Sequence, residues 1–574
     1  MNLRQIKSTR FLRQIRIGVS MVPLLLAPTA ISRAEIIRVG PAASCDEDTL
    51  ALALFRAAVN GQPADEIRLP RDVVYINVAL HLTDWDPATA GALVLAGGFD
   101  SCSDSTASGD TTLAGNGSAP VVEVDTASRP ISDVTIRNLD LQGGSIGLLA
   151  QGGADVIVDQ SRIRLNDGGI EVDTGADIEI SGTSQIRENS GANFGGGIFC
   201  IDAGSIVTVH GAVSFNTATQ AGGGIYANDG CVVKLRSGVY IEGNQASLGG
   251  GLYLAGTARA ENLGTGSANV NIYANEASAE GGGIYMAGTG PQTLLGNVRI
   301  VSNVAATRGG GVALVGGARL QIERFNFEAC LTEPQCTKID ENWLTGGEGS
   351  AVYAGGGSEF RMMQGFIEAN SGSDANGSVI FAEGASTLIH LEGVQIVQNS
   401  TFALFQAEDG AEVRAAFVTA AENIYHPGGG PGEADSFGGI ATGGGELRLF
   451  TSILVDHQSF VTATLGEIHG DCLMVATAAG MTQNDAAYVG LDPLFMNTVS
   501  GKHRLRPDSP AIDSCDTLHY TPLDADFDLD GRGFDLASHG NVHGFYDRGA
   551  DEVVPVFADG FESASTTAWS TTQP

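Results

Sequence analysis

The sequence predicts an all-β fold, a parallel β-helix (solenoid) with an N-terminal helical cap and a loop-rich C-terminal module, and three observations carry that prediction. Five runs of Gly-Gly-Gly followed by an aliphatic residue begin at Gly195, Gly222, Gly249, Gly281 and Gly309, in steps of 27, 27, 32 and 28 residues. A period of this size marks a supersecondary unit that buries its apolar face only by stacking on a neighbour. Ahead of nearly every run stands an aliphatic residue, two variable residues and an asparagine: Ile163 to Asn166, Ile186 to Asn189, Val213 to Asn216, Ile241 to Asn244, Ile272 to Asn275 and Ile300 to Asn303. Between these marks no stretch is long or periodic enough for a helix, so each unit reads as short strands joined by an Asn corner and a Gly corner.

The elements follow in order. Residues 1–34 carry Arg4, Lys7, Arg10, Arg13, Arg16 and Arg33 with no acid, around the apolar run Ile17 to Ala27 and the small residues of Ser32-Arg33-Ala34. That is the pattern of a secretory signal, and the apolar run is shorter than the ~20 residues a membrane span needs. Export without a transmembrane anchor is the expectation. Residues 35–130 are expected to hold the cap and first coils, because a bare solenoid end exposes unpaired strand edges. There Asp48 is placed to N-cap a segment from Thr49 to Asn60 whose Leu50, Leu54, Ala57 and Ala58 share one face, with Gly61 as its stop. Residues 131–455 carry the repeats, and the weaker units Gly349 to Tyr353, Gly377 to Phe381 and Ser400 to Phe405 keep step with Asn342, Asn370 and Asn399. The longer interval from Asn303 to Asn342 makes room for an inserted loop holding Cys330 and Cys336, which should protrude. Residues 456–552 are assigned to final coils and the terminal module, and 553–574 to a tail.

Composition narrows the function classes. The formal net charge is −35, with 31 basic against 66 acidic residues. Such a surface repels phosphate backbones and anionic lipid, which excludes nucleic acid and membrane-surface binding, and suits divalent cations and neutral sugars. The 79 glycines cluster at the corners with no Gly-X-Y period, which excludes collagen. Eight cysteines in an exported chain read as disulfides, and proximity suggests Cys45 with Cys102, Cys200 with Cys231, Cys330 with Cys336 and Cys472 with Cys515.

Aligning the units gives two columns. The residue after the glycines is always aliphatic: Ile170, Ile198, Ile225, Leu252, Ile284, Val312, Val352, Ile380 and Leu404. It is therefore expected in the core. The next residue points the other way in a strand, and that column reads Glu171, Phe199, Tyr226, Tyr253, Tyr285, Ala313, Tyr353, Phe381 and Phe405. With a glutamate among its members the column is expected to face solvent. Tyr226, Tyr253, Tyr285 and Tyr353 then form either a strip that stacks on sugar rings or a set of rings that only stack on one another. The Asn column reads as structural, since asparagine tolerates unusual backbone angles and identical amides one coil apart can hydrogen-bond into a ladder.

Several stretches resemble known families. Cys45, Leu54 to Asn60 and Ala64 to Pro70 are similar to the opening of many secreted bacterial right-handed β-helix proteins, and the Gly-Gly-Gly-Ile-Tyr and Ile-x-x-Asn units resemble the polymorphic outer-membrane protein family. Leu491 to Phe495, Leu505 to Asp513, Asp528 to Arg532 and Asp547 to Glu552 closely resemble the choice-of-anchor Q domain. These resemblances imply export, a place on the cell surface and a right-handed β-helix, and name no reaction. Residues 453–574 lack the alternating ten-residue strands of an autotransporter barrel, and the tail from Val556 to Ser570 is similar to a short terminal motif of secreted proteins.

Chemistry-bearing clusters are few. Asp526, Asp528 and Asp530 alternate before Gly531 like the first half of a calcium loop, with Ala537 where an EF-hand glutamate would stand, so the alternatives are calcium or an Asp-rich turn. His519, His539 and His543 lie among glycines and read as loop histidines rather than a zinc site. A polysaccharide lyase or hydrolase would need a base beside calcium-binding carboxylates or a pair of acids across the scissile bond. Glu171 with Asp173 and Asp202 with Asp229 are the available pairs. The expected function is a secreted or cell-surface protein whose repetitive faces bind glycans or surface partners, with a polysaccharide-degrading enzyme as the alternative.

Overall fold

The computed structural model describes residues 35–553, except 63, 84–91, 127–132, 263–268, 291, 325–336, 373–376, 425–436, 486, 497–502, 519, 527–530 and 537–538; of 83 and 483–485 it describes the backbone only. The signal segment, Cys330 with Cys336, Asp528, Asp530, His519 and the tail beyond 553 lie outside the described residues.

The chain is a parallel β-helix. A representative coil runs through Asp177–Ile180, Gln185–Arg187 and Ile198–Cys200, and the next repeats it with Ile206–Val209, Ala212–Ser214 and Ile225–Ala227. Each strand pairs in parallel with its counterpart one coil on. The first strands of all coils make the first face, the second strands the second face and the last strands the third. The third face is a 14-stranded sheet, whereas the first two count as one 31-stranded sheet. They merge because Glu359–Glu368 and Leu388–Val397 run unbroken through the corner between them. A five-stranded ribbon from Gln245–Leu248 to Ser371–Gly372 lines the corner after the asparagines.

The aliphatic column is core. Ile170, Ile198, Ile225, Leu252, Ile284, Val312, Val352 and Ile380 are at most 1 % exposed and join one continuous apolar cluster. Each buried side chain contributes roughly 1.5–3 kcal/mol. At the next rung Phe405, not Leu404, stacks on Ile380, and Gln406 takes the outward place over Phe381. That unit has no glycine run to fix its offset, so the alignment by sequence was one residue out.

The three glycines of each run answer to three separate constraints. Gly222 adopts φ 65°, which favours a residue without Cβ. A Cβ on Gly223 would lie 2.4 Å from the carbonyl oxygen of Gln245 in the next coil. On Gly224 it would meet the carbonyl of Gly251 at 2.6 Å and the amide nitrogen of Asn244 at 2.9 Å. The third glycine therefore lets the next coil's asparagine lie against the backbone.

Those asparagines form an unbroken buried ladder from Asn166 through Asn189, Asn216, Asn244, Asn275, Asn303, Asn342, Asn370 and Asn399 to Asn423. At each step both the backbone N–H and the side-chain amide donate to the Oδ1 of the next asparagine; for Asn216 on Asn244 both distances are 3.0 Å. Each amide also donates to a carbonyl of the preceding coil, as Asn244 does to Val213 at 2.9 Å. The unusual backbone angle belongs to the residue before: Leu165, Glu188, Phe215, Gly243, Ala274, Ser302, Glu341, Ala369, Gln398 and Glu422 have φ between 51° and 63°. The expectation that Asn itself takes that conformation is corrected. The ladder holds the turn, so almost any residue can occupy the strained position.

At the N-terminal end the helix Leu50–Val59 buries Leu50, Ala53 and Ala57 against the first coils. Its N-cap is Thr49, whose hydroxyl accepts from Leu52 N–H at 3.3 Å, rather than Asp48. Disulfides Cys45–Cys102, Cys200–Cys231 and Cys472–Cys515 form as expected. No helix among the described residues is long and apolar enough to cross a membrane.

The terminal module packs alongside the solenoid, against the corner between the first and second faces. His503 N–H donates to Gln395, the Gln364 amide to the carbonyl of Asp526, and Ala550 N–H to Thr419. The Tyr520 hydroxyl donates to Glu392 at 2.5 Å and lies 2.8 Å from His390 Nε2. Burial draws the His390 imidazole down to about 4, so near neutral pH it is uncharged in this contact.

Candidate functional site

The aromatic column folds onto itself. Phe199, Tyr226, Tyr253 and Tyr285 stack with ring centroids 4.9–5.3 Å apart and planes within 12° of parallel. Ala313 interrupts the stack, and the guanidinium of Arg308 takes the missing ring's place, 4.8 Å from the centroid of Tyr353, which stacks in turn on Phe381. Tyr226, Tyr285 and Tyr353 are only 9, 8 and 1 % exposed. Their hydroxyls lose protons reluctantly, since burial pushes Tyr226 and Tyr285 up to about 12 and Tyr353 higher still. The expected solvent-facing strip is corrected: the period that repeats the rings along the axis also turns each face onto its neighbour. Tyr253 is half-buried, and one side of Phe199 stays open at the head of the stack.

Open aromatic surface lies on the second face instead. Tyr240 and Tyr273 are 50 and 42 % exposed. They flank the inward Ile241 and Ile272 that precede the asparagines, which sets their side chains outward. In register, Tyr240, Asn271 and Arg299 form one outward column and Glu242, Tyr273 and Val301 the next. The two tyrosines are thus diagonal neighbours, one coil and two residues apart, a separation of about 8 Å. Together these six residues line a groove of about 260 Å³. Asn271 spends its NH₂ on the carbonyls of Val239 and Asn269, which leaves its Oδ1 to accept. Arg299 Nε finds no hydrogen-bond partner among the described residues. Phe215, 55 % exposed with its ring against Gly243, extends the apolar surface by one coil. The groove therefore offers ring faces, a guanidinium, a carboxylate and an amide acceptor. The signal was present in the sequence: outward positions on either side of each inward isoleucine hold Tyr only here.

A second cleft, about 250 Å³, opens where the ring stack begins. Phe199 is covered by Tyr226 on one side and has Glu171 as its neighbour on the other. Burial, with the nearby charge of Asp173, pushes the Glu171 carboxyl up to about 6. Of the pairs considered for catalysis, Glu171 sits on the strand Gly168–Val172 with Asp173 directly after it, while Asp202 and Asp229 occupy left-handed turn positions beyond the third-face strands.

The carboxylates of the terminal module hold backbone. Asp547 Oδ1 and Oδ2 accept from Asp513 N–H and Val553 N–H, and Glu552 Oε1 from Gly533 and Phe534 N–H at 2.8 and 2.9 Å. Asp526 is buried and accepts from Glu552 N–H at 2.9 Å. Arg548 is fully buried, donating to both sulfurs of Cys472–Cys515 and lying 3.6 Å over the Tyr488 ring. Among the described residues one trio could gather around a metal, Glu446, Glu467 and His469. It belongs to a surface ladder of ion pairs with Arg448, which bonds Glu446 at 2.7 Å. No protein-family model, curated protein or solved structure matches this chain.

Proposed function

We propose that this chain is an exported β-helix protein that binds glycan chains through the groove on its second face. The groove carries the reading: Tyr240 and Tyr273 present open ring faces, and Asn271, Glu242 and Arg299 supply the few directed polar groups a sugar site uses. The acidic surface favours neutral polymers over polyanions. Three disulfides accord with an oxidising compartment.

Titrating neutral oligosaccharides calorimetrically into wild type and Tyr240→Ala/Tyr273→Ala tests it. At about 1 kcal/mol per lost ring contact the double variant should bind at least tenfold more weakly with unchanged thermal stability. Equal affinity, or no binding by wild type across the panel, would sink the proposal. New reducing ends or unsaturated products would point to the enzyme alternative.

A further inference from the structure

The cleft at the head of the ring stack has a different character from the groove, and nothing in the glycan reading uses it. Its walls bring together the uncovered side of Phe199, the ring of Phe194, Ile146, Asn193 and the carboxylates of Asp167 and Glu171. No lysine or arginine lines it. Neither carboxylate makes a side-chain hydrogen bond or ion pair among the described residues, although the protein pairs many of its other acids with arginines. Glu171 is half-buried and Asp167 exposed, and both stand beside phenyl rings without a counter-charge. A cation completes them twice over, by ion pairing and by resting on an aromatic face. At about 250 Å³ the space is just below that of drug-sized sites and admits one ring or a short chain.

We infer that this cleft binds a primary ammonium group carried on a small apolar body, with Glu171 and Asp167 as its counter-charges and Phe199 as its floor. An amino sugar and a lysine side chain share that chemistry. The charged groups nearest Glu171 are acidic. Asp173 just after its strand and Asp167 on the preceding turn are acidic, the adjacent strands place Leu149 and Phe199 beside it, and beyond Leu149 lies Glu123, which is paired with His81. Because burial and Asp173 lift its carboxyl to about 6, acidification discharges it and removes the cation's partner.

The probes are N-acetyl-lysine methylamide, its ε-acetylated neutral form, methyl glucosaminide and its N-acetyl form, titrated against the full chain. At pH 7 at least one amine should bind, its acetylated partner at least tenfold more weakly; which amine binds identifies the source. The lysine analogue stays charged at pH 5, so any several-fold loss there reports on the protein. Glu171→Gln should cost about tenfold. Gly168→Leu should block the cleft: a Cβ there meets nothing closer than 3.8 Å, so the fold accepts it while the side chain fills the space. Circular dichroism and melting temperature confirm that both variants fold. Equal binding of acetylated and free amines, no binding of either amine, or full affinity in folded Gly168→Leu would overturn the inference. Tyr240→Ala/Tyr273→Ala should leave it untouched, which separates this site from the groove.

Discussion

The solenoid and the terminal module solve one problem, the burial of polar groups, by opposite means. In the coils every strand finds its backbone partners one coil away, and the polar column inside is a neutral chain of asparagines. The module has few paired strands, so its backbone N–H groups turn to side-chain acceptors, and those acceptors are charged: Asp513, Asp547, Glu552, Asp526 and Asp551. Burying carboxylates costs free energy that burying amides does not. The burial and the proximity of Glu552 push the Asp547 carboxyl upward, and Glu552 is likewise raised by burial. Repetition permits a neutral interior; irregular loops need a charged one.

The sharpest way to break the comparison is to give the solenoid a charge. Ile225→Asp places a carboxylate in a fully buried column and should cost about 5 kcal/mol or more, or prevent folding, read by urea denaturation. Asn244→Ala comes next. It removes four hydrogen bonds and strands the Asn216 N–H in the interior, leaving the Asn216 amide only its bond to the Ile186 carbonyl, a loss of about 3–5 kcal/mol. A loss below 1 kcal/mol would mean that the ladder follows the fold rather than supports it. Cys515→Ala frees the module from the last coils and should lower stability by about 2–4 kcal/mol, with proteolysis concentrated beyond residue 503. Cleavage within the coils would show that the bond serves the solenoid instead.

The same contrast explains what could be read from the sequence. Coil length, core column, Asn ladder and the three observed disulfides were legible because each repeats or lies near its partner along the chain. Phe405 was misplaced where the glycine run lapses, and Thr49 rather than Asp48 caps the helix because the helix begins one residue later. The exposure of Tyr226 and Tyr285 was misjudged because alternation tells which way a side chain points, while stacking between coils decides how much of it stays open. The Tyr240 and Tyr273 groove arises from two residues on opposite sides of successive isoleucines, a diagonal that alignment into columns hides. In the module, Asp547 and Glu552 were recognisable as a motif, but their role as acceptors depends on loops that no period describes.

The pH dependence of stability tests the contrast most directly, using wild type, Asn244→Ala and Glu552→Gln. The raised carboxyls of Asp547, Glu552 and Glu171 bind protons more tightly in the folded chain than in the unfolded one. Stability should therefore rise as pH falls through the folded values and level off below the ordinary carboxylate range. Between pH 8 and 5 these carboxyls push the melting temperature of wild type up, against the opposite pull of His390, which stays neutral in the folded chain down to about pH 4 while the unfolded imidazole takes up its proton. Asn244→Ala should trace a parallel curve at lower temperature, because its ladder carries no charge. Glu552→Gln should trace a flatter one, because it keeps the acceptor for Gly533 and Phe534 while removing the charge beside Asp547. A changed slope in Asn244→Ala, or an unchanged slope in Glu552→Gln, would contradict the division between a neutral solenoid interior and a charged module.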